Sequence, residues 1–291
     1  MPSEKVLVLN ATGKVGKNVC LALREAGFEV CGTTRSQSTQ LSEAGVEPVI
    51  CNYTERSGLE YAFEKTGAKK VFAITDYFGA AQSRGDLEIE HGRTAIDVAK
   101  VNCVEHFIFV SVVDAENFNE HVRHIKTKIA IEDYLRQSGV PYSILRPTAF
   151  FENLDDPKNW NPLKKGAVKF LSKERMKFCA TYDIGRAAAV MFKEPEVWLG
   201  RSLDVITWEG SLYDIAKALE NVAGTPVKAS LAMPVFLRRL LLKDLHNMFL
   251  YFESGGPKGT PDEFKKIVPN ALSAEDWFRF HGYYSNGERI C

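Results

Sequence analysis

An apolar run opens the chain and leads directly into a glycine-containing turn. Residues 5–9 have the length of a strand, and residues 10–16 form the turn sequence. Apolar side chains then return at helical spacing, at Val15, Val19 and Leu23, until Gly27. The pattern predicts a strand, a glycine turn and a helix. A helix that begins just after the carboxyl end of a strand offers free N–H groups and a positive dipole to an anion. This arrangement is typical of a dinucleotide site.

Apolar strands and amphipathic helices continue to alternate as far as residue 145. Such a series predicts βαβ units, and these build a parallel sheet that is covered by helices on both faces. We therefore predict an α/β fold, a Rossmann doubly wound parallel sheet with a smaller C-terminal α/β lobe. The predicted strands are 28–33, 46–50, 70–74, 106–110 and 142–145, and the predicted helices between them are 59–66, 86–101 and 121–137.

The pattern loosens beyond residue 150. Residues 155–165 predict a loop, 183–194 and 211–223 predict helices, and 202–206 predict a strand. We divide the chain into an NAD(P)-binding Rossmann domain, residues 1–150, and a substrate or partner lobe, residues 151–291, interleaved with the first. Residues 236–242 form an apolar stripe with two arginines. We interpret this segment as a helix that closes a pocket or the core, in preference to a helix that docks a partner.

Composition and charge narrow the classes of function. The 37 basic and 37 acidic residues cancel, which argues against a bulk electrostatic hold on nucleic acid or an anionic membrane. No signal peptide is visible, and charged residues interrupt the longest apolar-rich stretch, so we expect no membrane span. The six cysteines lack CxxC spacing and predict reduced thiols in a protein of the cytoplasm or nucleus, with Cys291 exposed. The oligomeric state is left open between monomer and homodimer.

The turn after the first strand supplies the first candidate cofactor contacts. Gly13 is expected to let the backbone turn tightly and approach a pyrophosphate, and Gly16 to let the helix pack close to the strand. Asn10 replaces the usual first glycine, and asparagine tolerates a left-handed backbone. A tight strand-to-helix turn without a ligand is the alternative. The predicted contacts in this segment are Asn10, Thr12, Gly13, Lys14, Val15 and Gly16.

The end of the second strand indicates which nucleotide would bind. An acidic residue there favours NAD, whereas a basic residue without an acid favours the 2′-phosphate of NADP. Here Arg35 follows two threonines, and a guanidinium can hold a phosphate through two hydrogen bonds. A solvated surface arginine is the alternative. The remaining predicted contacts are Asn52 and Tyr53 near the adenine and Thr75 and Tyr77 near the nicotinamide.

The helix after the fifth strand is where chemistry is expected. Short-chain reductases place a Tyr-x-x-x-Lys pair there, with a serine at the strand end. The two Tyr-x-x-x-Lys matches of this chain, Tyr61/Lys65 and Tyr213/Lys217, fall elsewhere and are interpreted as chance. The expected position instead holds His124 and Lys128, with Ser111 closing the strand. We predict these three as catalytic candidates, with Lys128 also a cofactor contact. His121 and His124 lack a third metal ligand, so no metal is expected.

Together these residues resemble the NmrA-like family of atypical short-chain dehydrogenases over nearly the whole chain. The resemblance implies a Rossmann domain, NADP(H) as cofactor, and Phe151 and Asn153 as further cofactor contacts. It is carried by the turn at residues 10–16, Arg35, His124-x-x-x-Lys128, residues 132–142, the block 145–153, residues 183–186, and the late segments 247–249 and 271–277.

Two functions from different classes follow. In one, a non-catalytic NADP(H) sensor regulates another protein, as the intact phosphate loop and the missing tyrosine indicate. In the other, an NADPH-dependent reductase of a small carbonyl, a quinone or a related substrate uses another proton donor, such as Lys128. The missing phenol favours the sensor.

Overall fold

The computed structural model describes residues 4–117, 122–156, 162–164 and 166–280. Its residues form two compact units, and the chain crosses between them repeatedly. Segment 181–204 was expected in the C-terminal lobe but packs with the first unit. The first unit comprises Met1–Glu116, Arg123–Pro147 and Thr181–Asp204, and the second comprises Asn117–Val122, Thr148–Ala180 and Val205–Cys291.

The first unit contains the strands and helices that the apolar pattern predicted. Most observed bounds lie within one or two residues of the predicted ones. The strands are β1 (Lys5–Val8), β2 (Glu29–Thr34), β3 (Glu47–Ile50), β4 (Lys70–Ala73), β5 (His106–Val110), β6 (Tyr142–Pro147) and β11 (Ser202–Val205). The helices are α1 (Lys14–Glu25), α2 (Thr39–Glu43), α3 (Arg56–Thr66), α4 (Gly85–Val101), α5 (Arg123–Ser138), α6 (Thr181–Lys193) and α7 (Pro195–Trp198).

These strands form one sheet in the order β11-β6-β5-β4-β1-β2-β3. All neighbouring pairs from β3 to β6 are parallel. The predicted Rossmann-type sheet is therefore confirmed. The strand order reverses between β1 and β4, and in doubly wound sheets ligands bind outside the carboxyl ends of the strands at such a reversal. The fold thus directs attention to the loops that follow β1, β2, β4 and β5.

Helix α6 joins the first unit through contact with α1. A Cβ atom at Gly185 would lie 2.7 Å from the Cβ of Ala22 and 2.8 Å from the Cα of Val19, so only glycine allows this approach. Asn18 of α1 also donates a 2.6 Å hydrogen bond to the Thr181 hydroxyl. This close packing explains why segment 181–204, although late in the chain, belongs to the first unit.

The second unit is built from two small sheets and several helices. Strands β7 (Ala149–Phe150), β10 (Met176–Cys179) and β12 (Trp208–Gly210) form one sheet, and β8 (Leu163–Lys164), β9 (Ala167–Phe170) and β13 (Lys228–Leu231) form the other. Sequence patterns predicted none of these six short strands, and β8 lies within the predicted loop 155–165. The helices of the second unit are α8 (Leu212–Ala223), α9 (Val235–Leu241), α10 (Lys243–Glu253), α11 (Pro261–Lys265) and α12 (Ala274–Phe280).

Helix α9 differs from its prediction. Its apolar stripe was expected to pack inward, but Phe236, Leu240 and Leu241 are 69%, 75% and 64% exposed, while Arg238 is fully buried. The buried face of this helix thus carries the charge. No helix within the described ranges has the length and apolarity to cross a bilayer.

Candidate nucleotide-binding edge

The β1–α1 turn has the geometry expected of a phosphate loop. Asn10 adopts a left-handed backbone with φ of 58°, as predicted for the residue that replaces the usual glycine. Its backbone N–H is held by the Thr33 hydroxyl at 2.9 Å. A Cβ at Gly16 would lie 2.1 Å from the Asn10 carbonyl oxygen, so α1 can start this close to the turn only with glycine there.

Gly13 is the N-cap residue of α1 and has no side chain with which to cap it. The first N–H groups of a helix have no partner inside the helix, and they carry its positive partial charge. This helix end lies behind β1, beside the reversal of strand order. The described residues therefore fit a pyrophosphate group, which is the fit that a dinucleotide requires at this point.

Arg35 follows β2 and is exposed, whereas Tyr53 after β3 is half-buried. Burial raises the pKa of the Tyr53 phenol, the charge of Asp76 adds to the rise, and the Arg35 guanidinium opposes it. Asn52 is engaged locally: its side-chain oxygen accepts from the Thr54 hydroxyl at 2.8 Å, and its nitrogen donates to Glu55 at 2.7 Å.

A buried ion pair joins α4 to α5 behind this edge. Lys128 Nζ lies 2.9 Å from Oε1 of Glu88, whose side chain is completely buried. The same ammonium donates to the Thr75 hydroxyl at 2.6 Å and to the Thr75 carbonyl at 3.1 Å. An ammonium has three N–H donors, so these three contacts account for all of them. The predicted roles of Lys128 in catalysis and cofactor binding stay predictions.

Glu88 was not recognised from the sequence. Burial tends to raise its pKa, but the Lys128 charge and hydrogen bonds from Thr127, Lys128 and Thr75 outweigh burial and hold the pKa below the ordinary value. The carboxylate is therefore ionised at neutral pH. Its position near the start of α4 offers only a weak signal, because an acidic residue in the first turn of a helix is usually a solvated one.

His124 contributes its ring to an aromatic group. The imidazole centroid lies 5.9 Å from the ring of Tyr77 and 5.5 Å from that of Phe78. Tyr77 is buried and Phe78 is 68% exposed, so the group forms part of the unit's surface. The predicted acid–base role of His124 stays a prediction, and His121, its proposed companion in a metal pair, lies outside the described residues.

Two buried polar atoms beside this edge lack hydrogen-bond partners among the described residues: the hydroxyl of Ser111 and Nδ1 of His91. Ser111 directly follows β5, as its predicted role requires, and that role stays a prediction. His91 lines a small cavity together with Tyr53, Thr75 and Phe109. Burial lowers the His91 pKa, so the neutral ring is favoured there. Unpaired polar atoms are costly, and a bound polar group or water would satisfy them.

A group of three potential metal ligands lies elsewhere in the described chain. Glu29, Cys31 and Glu47 place their ligand atoms within 4.8 Å of one another. However, Lys5 already pairs with Glu29 at 2.9 Å. Burial and the Glu47 charge raise the pKa of the Cys31 thiol to about 12. The thiol is protonated at neutral pH and donates to Glu47, which leaves a poor metal site.

Comparison of the sequence with models of known protein families identifies the family of this chain. The model of the NmrA-like family matches residues 2–278. The chain belongs to the NmrA-like family. The resemblance inferred from the sequence is therefore confirmed.

Relatives of this NmrA-like protein include assembly factors and reductases. The photosystem II assembly factor Ycf39 of Cyanophora paradoxa is 23% identical over 250 residues, which cover 80% of this chain and 73% of the relative.

Solved structures give a similar range. The negative transcriptional regulator NmrA in complex with NADP has a TM-score of 0.73 at 19% identity, covering 96% of this chain and 95% of NmrA. NmrA has also been solved with NAD. Triphenylmethane reductase of Citrobacter sp. in complex with NADP(H) has a TM-score of 0.74 at 17% identity, covering 95% of this chain and 99% of that one.

The two remaining predicted contacts lie in the second unit of this NmrA-like protein. Phe151 is fully buried. Its ring stacks on Phe178 and Trp277 at centroid distances of 5.3 and 5.6 Å. In this conformation the ring has no surface to offer a ligand. Asn153 is exposed in the following turn. Their assignment as cofactor contacts stays a prediction.

Proposed function

We propose that this NmrA-like protein binds NADP(H) at the carboxyl edge of its parallel sheet and acts as a nucleotide-responsive regulator of another protein. The N-terminus of α1 would hold the pyrophosphate, with Gly13 as the point of closest approach. Arg35, exposed after β2, would hold the 2′-phosphate through charge-assisted hydrogen bonds. The nicotinamide end would lie near Thr75 and the Tyr77 ring.

The observation that favours a regulator over an enzyme is the state of Lys128. Its three N–H donors are all used by Glu88 and Thr75. A group with no spare donor and a buried counter-ion supports the architecture of the edge and is poorly placed to deliver a proton. The position four residues before Lys128 on α5 holds His124 in place of a tyrosine, which supports the same choice. NADPH can supply a hydride when bound, but the alkoxide formed on a carbonyl would still need an acid.

A reductase is the second candidate, and one observation favours it. The buried Ser111 hydroxyl has no partner among the described residues and follows β5, where short-chain reductases orient a substrate carbonyl. His124 would then be the acid, since an imidazole can donate a proton near neutral pH. This route requires the His124 ring to reach the substrate oxygen.

Titration of NADPH and NADH against the wild type and Arg35→Ala tests the proposed cofactor. A charge-assisted phosphate contact contributes about 1.5–3 kcal/mol, so loss of Arg35 should weaken NADPH binding about ten- to a hundredfold and leave NADH binding nearly unchanged. Arg175→Ala is the matched control, because Arg175 is an exposed arginine of the second unit with a side chain 61% exposed.

In the wild type NADPH should bind more tightly than NADH. Equal affinity for the two nucleotides would contradict the choice of NADP(H). Failure to bind either nucleotide would contradict the proposed function as a whole.

A further inference from the structure

Helix α9 of the second unit presents an apolar face to solvent. We name Val235, Phe236, Arg239 and Leu240 the α9 face. Val235, Phe236 and Leu240 are 48%, 69% and 75% exposed, and Arg239 is also exposed. With 3.6 residues per turn, these four positions fall on one side of the helix. A surface that gathers large apolar side chains marks an interaction site more often than a scattered exposed residue does.

The orientation of the helix is fixed from the other side by Arg238. Its guanidinium is fully buried and donates to the Glu253 carboxylate at 2.8 and 3.0 Å, and to the Leu171 carbonyl at 2.8 Å. It also donates to Nδ1 of His246 at 3.2 Å. The guanidinium carbon lies 5.0 Å from the centre of the Phe249 ring.

The buried contacts of Arg238 therefore hold the α9 face toward solvent. Rotation of the helix to bury Phe236 and Leu240 would break the buried ion pair between Arg238 and Glu253, which is strongly destabilising. Helix α9 thus buries a charged side chain and exposes apolar ones, and the ion pair of Arg238 maintains this arrangement.

The charges at the α9 face indicate what covers it. Arg239 lies among the apolar side chains, and the exposed Lys243 follows at the start of α10. A second copy of the chain would bring these like charges together in an isologous contact, which is unfavourable. A seven-residue helix on a chain of zero net charge is a weak anchor for a membrane. Apolar side chains flanked by carboxylates would satisfy both the apolar and the basic residues.

We infer that the α9 face is a docking site for an amphipathic segment of a partner protein whose apolar side chains are flanked by carboxylates. The inference rests on the proposed regulatory function and names where and by what chemistry the regulated partner is recognised. Apolar contacts would supply most of the affinity, and Arg239 and Lys243 would select the acidic partner.

The test uses the full chain and two fluorescein-labelled helical peptides. Both have the same leucine and phenylalanine face, and they carry either glutamate or lysine on its flanks. Fluorescence anisotropy should show binding of the glutamate peptide at least tenfold tighter than the lysine peptide. Phe236→Ser/Leu240→Ser should weaken glutamate-peptide binding at least tenfold. Arg239→Glu should abolish the preference between the peptides, and Arg239→Glu/Lys243→Glu should reverse it. Val101→Ser, which removes a valine of α4 that is 77% exposed, is the matched control and should change nothing.

Each alternative occupant gives a different result. Equal binding of the two peptides, or none, would overturn the inference. So would binding of 3:1 phosphatidylcholine–phosphatidylserine vesicles that Phe236→Ser/Leu240→Ser abolishes, or a wild-type dimer in sedimentation that the same variant dissociates. NADPH titration of every variant distinguishes a failure of the docking inference from a failure of the proposed function. Normal NADPH binding without peptide selectivity refutes only the docking site, whereas absent NADPH binding refutes the proposed function.

Discussion

At the scale of single residues, the buried ion pair between Glu88 and Lys128 holds α4 and α5 together beside the candidate nucleotide-binding edge. Neither side chain can be removed alone without leaving a charge in a buried place, because Glu88 is fully buried and Lys128 is 13% exposed. Buried pairs of this kind add little net stability, but breaking one by removing a partner is costly. The pair therefore fixes the geometry of Thr75, α4 and α5.

Glu88→Gln should lower the free energy of unfolding at pH 7 by about 3–5 kcal/mol, because Lys128 would remain without its counter-ion. The double variant Glu88→Gln/Lys128→Met should recover most of this loss. Urea denaturation measures the effect, and Glu90→Gln, an exposed neighbour on α4, is the control. Additive losses in the double variant would refute the coupling of the two residues.

The same pair predicts a direction of pH dependence. The folded state holds the pKa of Glu88 below the ordinary value of 4.5. The unfolded state therefore takes up its proton first as the pH falls, so the contribution of Glu88 is complete above pH 4.5 and is lost below it. In urea denaturation at decreasing pH, the wild type should lose stability more steeply than Glu88→Gln in this range.

At the scale of elements, the turn between β1 and α1 depends on one left-handed residue, Asn10, and on one close approach, at Gly16. The left-handed Asn10 directs its carbonyl toward the start of α1, and Gly16 leaves room for it. The sequence carried both signals, because Asn tolerates this conformation and glycine is the residue of close approach. This part of the site was predictable for that reason.

Gly16→Ala should separate α1 from the turn, because its Cβ would lie 2.1 Å from the Asn10 carbonyl oxygen. Overpacking of this kind costs about 1–3 kcal/mol. We expect a lower melting temperature, and weaker NADPH binding because the N–H groups of α1 would be displaced from the phosphate position. Lys17→Ala, on the exposed side of α1, should leave both unchanged. A Gly16→Ala variant that binds NADPH normally would show that the helix N-terminus is not the phosphate site.

The elements that sequence reasoning missed share a physical cause. Strands β7, β8 and β12 have only two or three residues, too few for an alternating pattern to stand out. Glu88 was missed because its three partners lie outside α4: Thr75 is in the loop after β4, and Thr127 and Lys128 are on α5. On α9 the apolar spacing was read correctly as helical, but the pattern cannot reveal that the arginine faces inward.

At the scale of the whole molecule, the central question is whether bound NADPH is consumed. As a regulator, the protein should bind NADPH but oxidise it little in the presence of aldehydes, ketones and quinones. His124→Ala should then change neither property. The absorbance of NADPH at 340 nm follows turnover directly.

A reductase would behave differently under the same assay. It would consume NADPH measurably, and His124→Ala would slow the reaction about a hundredfold or more, the usual effect of losing an acid–base group. Such turnover by the wild type would replace the regulator with the enzyme as the function of this protein.

The segment Thr181–Asp204 has a consequence for how the chain is made. The first unit lacks α6 and an edge strand until this segment exists, because residues 148–180 belong to the other unit. On the ribosome, at about 5–20 residues per second, synthesis from residue 150 to residue 204 takes roughly 3–11 s. During that interval the α1 surface around Val19 and Ala22, which Gly185 later covers, stays open to solvent and to chaperones. A gene truncated at residue 150 would leave it open permanently.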